Sequence, residues 1–307
     1  MGTQTSRIRL AVTTGDPFGI GPEVTAAAVR NLDVAADVTV FGADDLPGAR
    51  CVGIPVAGPG PDPAGPSAAG GQASLEALRQ ALAACRKGEF DALVTAPISK
   101  ESWALADGPT DGHTPHLGRF FGVESPLMVF TWDQDEPVVA LLTHHIPLRA
   151  VASTLTSARV EAAVRRLHAG LIRDFGRPDP AIGVCGLNPH AGEHGLLGTE
   201  EADFIEPALE RLSADGIRAL GPIPGDTAFA WRDRYDAILA LYHDQGLAPV
   251  KALAFRTAVN VTLGLPIVRT SPAHGTAFEI AGTGRADPTS MGQALAWAIR
   301  LAAQRAR

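Results

Sequence analysis

Short apolar segments alternate with segments of helical spacing along almost the whole chain, and this alternation constrains the fold more than any other feature. Each apolar segment is short enough for one buried strand and is followed by Gly, Pro or polar residues. Strands are predicted at residues 9–13, 38–41, 92–95, 127–132, 137–142, 181–187 and 237–241, and helices up to about residue 31 and over 75–85 and 156–169. Strands that alternate with helices favour an α/β fold with a mostly parallel sheet and helices on its faces.

The length of the chain predicts two lobes. A chain of 307 residues with 46% hydrophobic content is long enough for two α/β units of ordinary size. We place the first lobe at residues 1–140 plus 289–307 and the second at 141–288, with the C-terminal helix crossing back to the first. The segment 53–71 is rich in Gly, Pro and Ala, which predicts a surface loop.

Charge and cysteine content restrict the partners and the compartment. A net charge of −7 offers no field that would attract nucleic acid or an acidic membrane, so a small molecule is the expected partner. Cys51, Cys85 and Cys185 are odd in number, widely spaced and outside any CxxC pair, which predicts structural thiols in a reducing cytoplasm. The sequence shows neither a signal peptide nor an apolar run of roughly 18 residues, so we expect a cytoplasmic protein without a membrane span.

Three histidine-containing segments, residues 143–148, 186–192 and 242–246, each follow a predicted buried strand. In open α/β folds, ligands bind beyond the carboxyl ends of the strands, and three neutral imidazoles with an open position suit a divalent metal that polarises a substrate oxygen. The sequence therefore predicts a metal site. The alternative is that these imidazoles cap backbone groups at strand ends. The first segment contains a doublet, His144 and His145, and either ring is a candidate ligand.

Other polar residues lie beside apolar segments. Lys251, Asn260 and Arg269 combine a point charge, an amide donor and a bidentate fork, which together suit a phosphate monoester; solvated surface positions are the alternative. Arg269 follows an apolar segment and is expected at the rim of a site. His113 and Thr114 form a polar pair suited to a substrate carboxylate or amine, unless Thr114 serves as a helix N-cap.

Two glycine-containing segments are candidates for close contact with a ligand. Residues 15–23 carry three glycines without GxGxxG spacing, and Asp16 within them could orient a ligand or a histidine, or only form a turn. In residues 274–288, the Glu279 carboxylate could bind ribose hydroxyls and the glycine-bearing turn could lie along adenosine; a solvated loop before a helix is the alternative.

Taken together, these segments resemble a known family. GDPFGIGPE, TAPISK, GHT, THHIPLR, GLNPHAGE, GTEE, GDTAF, YHDQGLAPVK and VNVTLGLPIVRTSPAHGTAFEIAGTGRADP, spread nearly end to end, resemble the 4-hydroxythreonine-4-phosphate dehydrogenases of pyridoxine (vitamin B6) synthesis and their relatives that act on phosphorylated threonate and erythronate. The resemblance implies a two-lobed α/β/α fold like that of isocitrate and isopropylmalate dehydrogenases. It also implies NAD, one divalent metal ion (Zn, Mg or Co) and a homodimer with the active site at its interface.

The resemblance also implies roles for individual residues. The implied metal ligands, contributed across the dimer interface, are His145, His190 and His243. The implied substrate and phosphate contacts are His113, Thr114, Lys251, Asn260 and Arg269, and the implied NAD contacts are His274, Gly275, Thr276, Ala277, Glu279 and Asp287. The chain departs from the family pattern at His144, where Thr is usual, and at Pro115-His116 after GHT. These departures bear on the identity of the substrate more than on the reaction type.

The expected reaction is NAD-dependent oxidation of the C3 hydroxyl of 4-phosphohydroxy-L-threonine, followed by decarboxylation of the β-keto acid to 3-amino-2-oxopropyl phosphate. The catalytic candidates are Lys100, Asp226 and Asp244. Glu279 favours NAD over NADP because a carboxylate near the ribose would repel a 2′-phosphate. The alternatives are a 4-phospho-D-threonate or 4-phospho-D-erythronate dehydrogenase, a metal-dependent hydrolase or lyase without redox chemistry, and a ligand-binding protein without catalysis.

Overall fold

The computed structural model describes residues 7–33, 36–58, 60–61 and 64–307, and their contacts divide the chain into two compact units. Unit 1 contains Met1–Pro126 and Val259–Arg307, and unit 2 contains Leu127–Ala258. The boundaries estimated from the sequence, near residues 140 and 289, differ from this division. The reason is that residues 259–272 form two strands that belong to the sheet of unit 1. The segment expected to contact NAD therefore belongs to unit 1, whereas the sequence-based division assigned it to the second lobe.

Unit 1 is built on six strands in the order β3-β2-β1-β4-β11-β10. With all strands of the chain numbered in order, they are β1 (Ile8–Thr13), β2 (Ala36–Phe41), β3 (Arg50–Val52), β4 (Ala92–Thr95), β10 (Val259–Leu263) and β11 (Val268–Pro272). Neighbouring strands are parallel except for the antiparallel pair β10 and β11. The central strands β1 and β4 are almost wholly apolar and buried, as expected for strands covered on both faces.

The helices of unit 1 are α1 (Gly21–Arg30), α2 (Ala68–Arg86), α3 (Lys100–Leu105), α4 (His113–Phe121) and α10 (Thr289–Arg305). Helix α2 begins earlier than predicted, so the expected loop over 53–71 ends before Ala68; residues 59 and 62–63 of it lie outside the described part. The Ser67 hydroxyl caps this helix by accepting from the Gly70 N–H. A Cβ on Gly71 would lie 1.9 Å from the Ser102 carbonyl oxygen, so glycine allows α2 and α3 to pack closely.

Unit 2 contains five strands in the order β5-β6-β9-β7-β8. These are β5 (Leu127–Thr131), β6 (Val138–Leu141), β7 (Ile182–Cys185), β8 (Ala219–Ile223) and β9 (Ala237–Ala240), with helices α5 (Val151–Thr154), α6 (Ser157–Arg173), α7 (Glu206–Ala214), α8 (Gly225–Ala228) and α9 (His243–Ala254). Only β5 and β6 pair antiparallel among the strand pairs described for this unit. The prediction of a mostly parallel α/β fold is confirmed.

The cysteines have the surroundings of structural residues. Cys85 and Cys185 are buried thiols, and burial raises the pKa of each to about 12. At neutral pH both are therefore protonated and poor nucleophiles. No helix in the described part of the chain is long and apolar enough to cross a membrane.

Candidate active site

Two of the predicted metal ligands, His145 and His243, lie together in unit 2. His145 follows β6 at a positive φ of 51°, and His243 is the first residue of α9, directly after β9. Because β6 and β9 are parallel neighbours, their carboxyl ends share one edge of the sheet. The two ring centroids are 5.8 Å apart, with ring planes inclined by 38°. The ring of His144 lies 5.1 Å from that of His145, but it is the His145 ring that pairs with His243.

The neighbour of His243 favours metal binding. Nδ1 of His243 lies 2.6 Å from Oδ1 of Asp244, so Nε2 of His243 is the ring nitrogen directed to other partners. A carboxylate on the second nitrogen of a ligating histidine fixes the tautomer and raises the basicity of the ring. Asp244, which the sequence offers as a catalytic candidate, therefore has the contact of a residue that orients a ligand.

The third predicted ligand, His190, lies in an unusual turn after β7. Six consecutive residues have positive φ, namely His190 (54°), Ala191 (53°), Gly192 (77°), Glu193 (43°), His194 (56°) and Gly195 (91°). Left-handed backbone costs an L-residue roughly 1–2 kcal/mol each, so the surroundings must stabilise this turn. No group of three His, Cys, Asp or Glu side chains converges to hold a metal ion within the described residues. Within one chain, therefore, only two of the three predicted ligands, His145 and His243, are seen to lie together among the described residues. Their nitrogen donors suit zinc or cobalt.

His190 lines an open cleft of about 630 Å³ in unit 2. Asp226, the second residue of α8, lines the same cleft, together with Tyr242 and Gln245. Gln245 holds the cleft wall in place: its Nε2 donates to the Gly186 carbonyl at 2.8 Å, and its Oε1 accepts from the Leu241 N–H at 2.7 Å. The cleft is therefore lined by the His190 imidazole and the Asp226 carboxylate, and the hydrogen bonds of Gln245 hold its wall in place.

Arg269 in unit 1 is a buried cation. Contrary to the expectation of a position at a rim, it lies within β11 and is 2% exposed. Its guanidinium donates to Oγ1 of Thr262 at 3.0 Å and to Oγ1 of Thr95 at 2.7 Å, while its Nε has no partner. Burial lowers the pKa of Arg269 to about 9. No ion pair to it is found in the described part of the chain. A guanidinium in this setting is ready to bind an anion.

His113 and Thr114 begin α4 in the same unit. Gly112 occupies the N-cap position, so the alternative that Thr114 is the cap is wrong; Thr114 is buried inside the first turn. The His113 Nε2 is buried without a hydrogen-bond partner. Burial, with a smaller contribution from the positive charge of Arg269, lowers the pKa of His113 well below its usual value. His113 is therefore neutral at physiological pH and its unsatisfied nitrogen suits a bound ligand.

The remaining predicted substrate contacts have different settings. Asn260 lies on β10 with its Oδ1 buried and without a hydrogen-bond partner. Lys251 lies on α9 in unit 2, with its Nζ 5.1 Å from the Phe255 ring centroid, and burial lowers its pKa. Lys100 begins α3 in unit 1, and a Cβ on Gly112 would lie 3.0 Å from its Cε.

The segment expected to contact NAD packs on the first glycine-containing loop. The Thr276 carbonyl accepts from the Ile20 N–H at 2.9 Å, and a Cβ on Gly19 would lie 2.8 Å from that oxygen. Glu23 binds the Gly282 N–H at 3.0 Å. A Cβ on Gly275, in contrast, would meet no atom within 4 Å. The loop therefore has a fixed inner side and an open backbone at Gly275.

Four further residues complete the description of this segment. The His274 Nδ1 lies 3.0 Å from the Gly275 carbonyl, and Ala277 has a positive φ of 42°. Glu279 lies in the single turn Phe278–Ile280. Asp287 Oδ1 accepts from the backbone N–H and the hydroxyl of Thr289, the first residue of α10.

The sequence analysis named Asp16 among the residues that shape these sites, but it did not single out Trp103 or Glu201. Asp16, for which a turn and an orienting role were both open, is buried and accepts from the Phe18 N–H at 3.1 Å. Trp103 is fully buried, donates to Ser74 Oγ at 2.9 Å and contacts the His113 ring edge to face at 5.5 Å. Glu201 binds the turn that carries His190. The contacts of Trp103 and Glu201 are distant along the chain, so local spacing carries no signal for these two residues.

Comparison with known proteins agrees with the resemblance. The family model described as pyridoxal phosphate biosynthetic protein PdxA matches residues 21–298. A 4-hydroxythreonine-4-phosphate dehydrogenase of Azoarcus sp. (strain BH72) is 43% identical, over 97% of each chain. The crystal structure of 4-hydroxythreonine-4-phosphate dehydrogenase from Klebsiella pneumoniae superposes with a TM-score of 0.84 at 34% identity, covering 98% of this chain and 99% of that one. Isocitrate dehydrogenase from Methylococcus capsulatus, at 15% identity and a TM-score of 0.52 over 97% and 87% of the two chains, shares the fold.

Proposed function

Because the chain belongs to the PdxA family of pyridoxal phosphate biosynthetic proteins, we propose that it oxidises the C3 hydroxyl of 4-phosphohydroxy-L-threonine with NAD and a divalent metal ion. Hydride leaves C3 for NAD and the hydroxyl proton is lost, which gives a β-keto acid. Loss of CO2 from this acid, with protonation of C2, gives 3-amino-2-oxopropyl phosphate. The observation that carries the proposal is the buried Arg269, a cation without a carboxylate partner in the described part of its unit.

In this proposal Arg269 binds the substrate phosphate, with Asn260 and Lys251 as further contacts. A bound phosphate would give the buried guanidinium the anion that its surroundings lack, and charge-assisted bonds of this kind are among the strongest in proteins. His113 is neutral and presents an unsatisfied nitrogen to the substrate, and Thr114 stands beside it. A phosphate held at one end orients C3 for hydride transfer, so remote binding energy is converted into rate.

The metal would be held by His145, His190 and His243, with Asp244 orienting His243. A divalent ion bound by these imidazoles supplies Lewis acidity that favours both the oxidation and the decarboxylation. Asp226 lines the cleft with His190, and Lys100 begins α3 in the other unit. These two residues are the candidates for the base that takes the hydroxyl proton. The pH profiles of Asp226→Asn and Lys100→Met would separate them, because only loss of the base removes the corresponding limb.

We propose a homodimer that completes the metal site. Within one chain, His145 and His243 lie together but the described residues form no three-ligand group. Several large apolar side chains of unit 2 are exposed, including Leu148 (70%), Leu196 (80%) and Phe255 (72%). Leu196 follows the turn that contains His190, so apolar surface accompanies the separated ligand. A second copy that covers this surface would supply the missing imidazole.

NAD is proposed to bind along residues 274–287. The open backbone at Gly275 permits close approach of the cofactor, and Glu279 would accept from ribose hydroxyls. The roles of His274, Thr276, Ala277 and Asp287 follow from the family resemblance.

The test is NADH formation by metal-reconstituted protein supplied with 4-phosphohydroxy-L-threonine, with 4-phospho-D-threonate and 4-phospho-D-erythronate in parallel and a chelator control. We expect chelator-sensitive turnover with the threonine derivative as the best substrate. Higher kcat/KM with one of the sugar acids would reassign the substrate, in keeping with the departures at His144 and His116. Folded, metal-loaded protein that forms no NADH with any of them would exclude the dehydrogenase assignment.

A further inference from the structure

One buried carboxylate, Glu201, binds the chain immediately before His190. Glu201 is 3% exposed and is the first residue of a π-helical turn, Glu201–Ile205. Its Oε1 accepts from the backbone N–H groups of Leu187 at 2.8 Å and Asn188 at 2.7 Å. Its Oε2 accepts from Asn188 Nδ2 at 2.9 Å. The carboxylate is therefore satisfied by the junction between β7 and the turn that carries His190.

Glycines bring the turn itself against the same carboxylate. A Cβ on Gly192, in the middle of the turn, would lie 2.6 Å from Glu201 Oε2. A Cβ on Gly186, just before the turn, would lie 3.2 Å from Glu201 Oε1. Both the entry and the middle of the turn thus rest on Glu201, and neither position leaves room for a side chain.

The turn needs such support because six consecutive residues of its backbone have positive φ. The Ala191 N–H donates to the Asn188 carbonyl at 3.1 Å, and the Leu197 N–H donates to the Gly192 carbonyl at 3.1 Å. Consecutive L-residues with positive φ persist only where the surroundings determine the conformation. Glu201 comes from outside the turn and contacts it at two places, so it is the residue best placed to determine this conformation.

We propose that Glu201 is a positioning residue for the metal: it holds the left-handed turn in the conformation that presents the His190 imidazole. The inference rests on the proposed function, in which His190 is a ligand. Glu201 acts through the backbone of residues 187–192 and does not contact the ion.

The test is Co²⁺ binding to metal-free dimer, followed by absorption and calorimetry, for the wild type and Glu201→Gln. Glutamine keeps the volume but offers one acceptor oxygen instead of two, so its NH2 must face either the backbone N–H groups or Asn188 Nδ2, and one set of contacts is lost. We expect the affinity to fall about 10–100-fold, the usual effect of losing a group that orients a ligand. The matched control is Glu200→Gln, because Glu200 accepts from Asn188 Nδ2 at 2.7 Å while the two backbone N–H groups donate to Glu201. The control should change the affinity less than about threefold, well below the range expected for the orienting group.

A double-mutant cycle separates positioning from a general structural effect. If Glu201 acts through His190, Glu201→Gln should cost no further Co²⁺ affinity in a His190→Ala background. Hydrogen exchange of metal-free Glu201→Gln should accelerate in residues 187–198 and remain unchanged in α6. An additive loss of affinity, or unchanged exchange in this segment, would overturn the inference.

The outcomes also distinguish the inference from the proposed function. Equal Co²⁺ binding by the wild type and His190→Ala would contradict the ligand role of His190 and both proposals with it. Weaker binding by His190→Ala together with unchanged binding by Glu201→Gln would overturn the role of Glu201 alone. If Glu201→Gln does not fold, Glu201→Asp replaces it, because the shorter side chain keeps the carboxylate but withdraws it from the two backbone N–H groups. Wild-type affinity and exchange in that variant would likewise reject the inference.

Discussion

Arg269 should destabilise the ligand-free protein, and replacing it by methionine should therefore stabilise the fold while abolishing phosphate binding. Burial lowers the pKa of this guanidinium from its ordinary value to about 9. At about 1.4 kcal/mol per pKa unit, the difference corresponds to a cost of about 5 kcal/mol for the charged form at neutral pH. The variant loses the bonds to Thr95 and Thr262, worth roughly 2–4 kcal/mol together. We expect Arg269→Met to raise the free energy of unfolding by about 1–3 kcal/mol, in the range measured when buried charges are replaced by apolar side chains.

The pH dependence gives the same prediction an independent check. The pKa of Arg269 is lower in the folded than in the unfolded state, so its destabilising effect is complete below about pH 9 and is relieved as the pH rises above that value. The difference in unfolding free energy between Arg269→Met and the wild type should be constant between pH 6 and about 8, and it should shrink above pH 9.

The assay is urea denaturation of metal-free protein with and without phosphate or phosphorylated substrate. At 100 times the Kd, a ligand should stabilise the wild type by about 2.7 kcal/mol and Arg269→Met by almost nothing. Arg30→Met, at the exposed end of α1 in the same unit, is the matched control and should keep the full response to ligand. A variant less stable than the wild type by about 2 kcal/mol or more, or an equal response to phosphate in both proteins, would refute the reasoning.

Three further predictions concern the other sites. Asp244→Asn removes the carboxylate from His243 Nδ1 and should weaken Co²⁺ binding about 10–100-fold in calorimetry, without changing the urea midpoint of the metal-free protein; unchanged affinity would contradict its orienting role. Gly275→Val should weaken NAD binding at least about tenfold in fluorescence titrations and leave stability unchanged, since a Cβ at this position meets no atom within 4 Å. Gly19→Ala should instead lower the free energy of unfolding by about 1–3 kcal/mol, because its side chain would contact Thr276. Unchanged NAD binding by Gly275→Val together with lower stability would exclude NAD from this loop. Leu196→Asp, at a side chain that is 80% exposed, should shift sedimentation from dimer to monomer and reduce Co²⁺ binding in parallel; a stable dimer would remove Leu196 from the interface.

The pairing of His145 with His243 is a feature of the site that the local sequence pattern could predict. Each imidazole follows an apolar segment that is recognisable as a strand, and the carboxyl ends of parallel strands share one edge. The sequence could therefore predict that strand-end histidines meet. It could not predict the left-handed turn that carries His190 or its contact with Glu201, which lies 13 residues beyond Asn188.

Alternation of strands and helices determined the fold class, and the quoted motifs determined the family. The tertiary structure decided which unit each motif joins: β10 and β11 pair into the sheet of unit 1, so the residues from Asn260 onward belong to unit 1 and the predicted metal ligands to unit 2. It also decided that Arg269 is buried between two threonines rather than exposed at a rim. The physical reason is that periodicity and propensity report local preferences along the chain, whereas strand order, burial and the partners of a charge depend on contacts between distant segments.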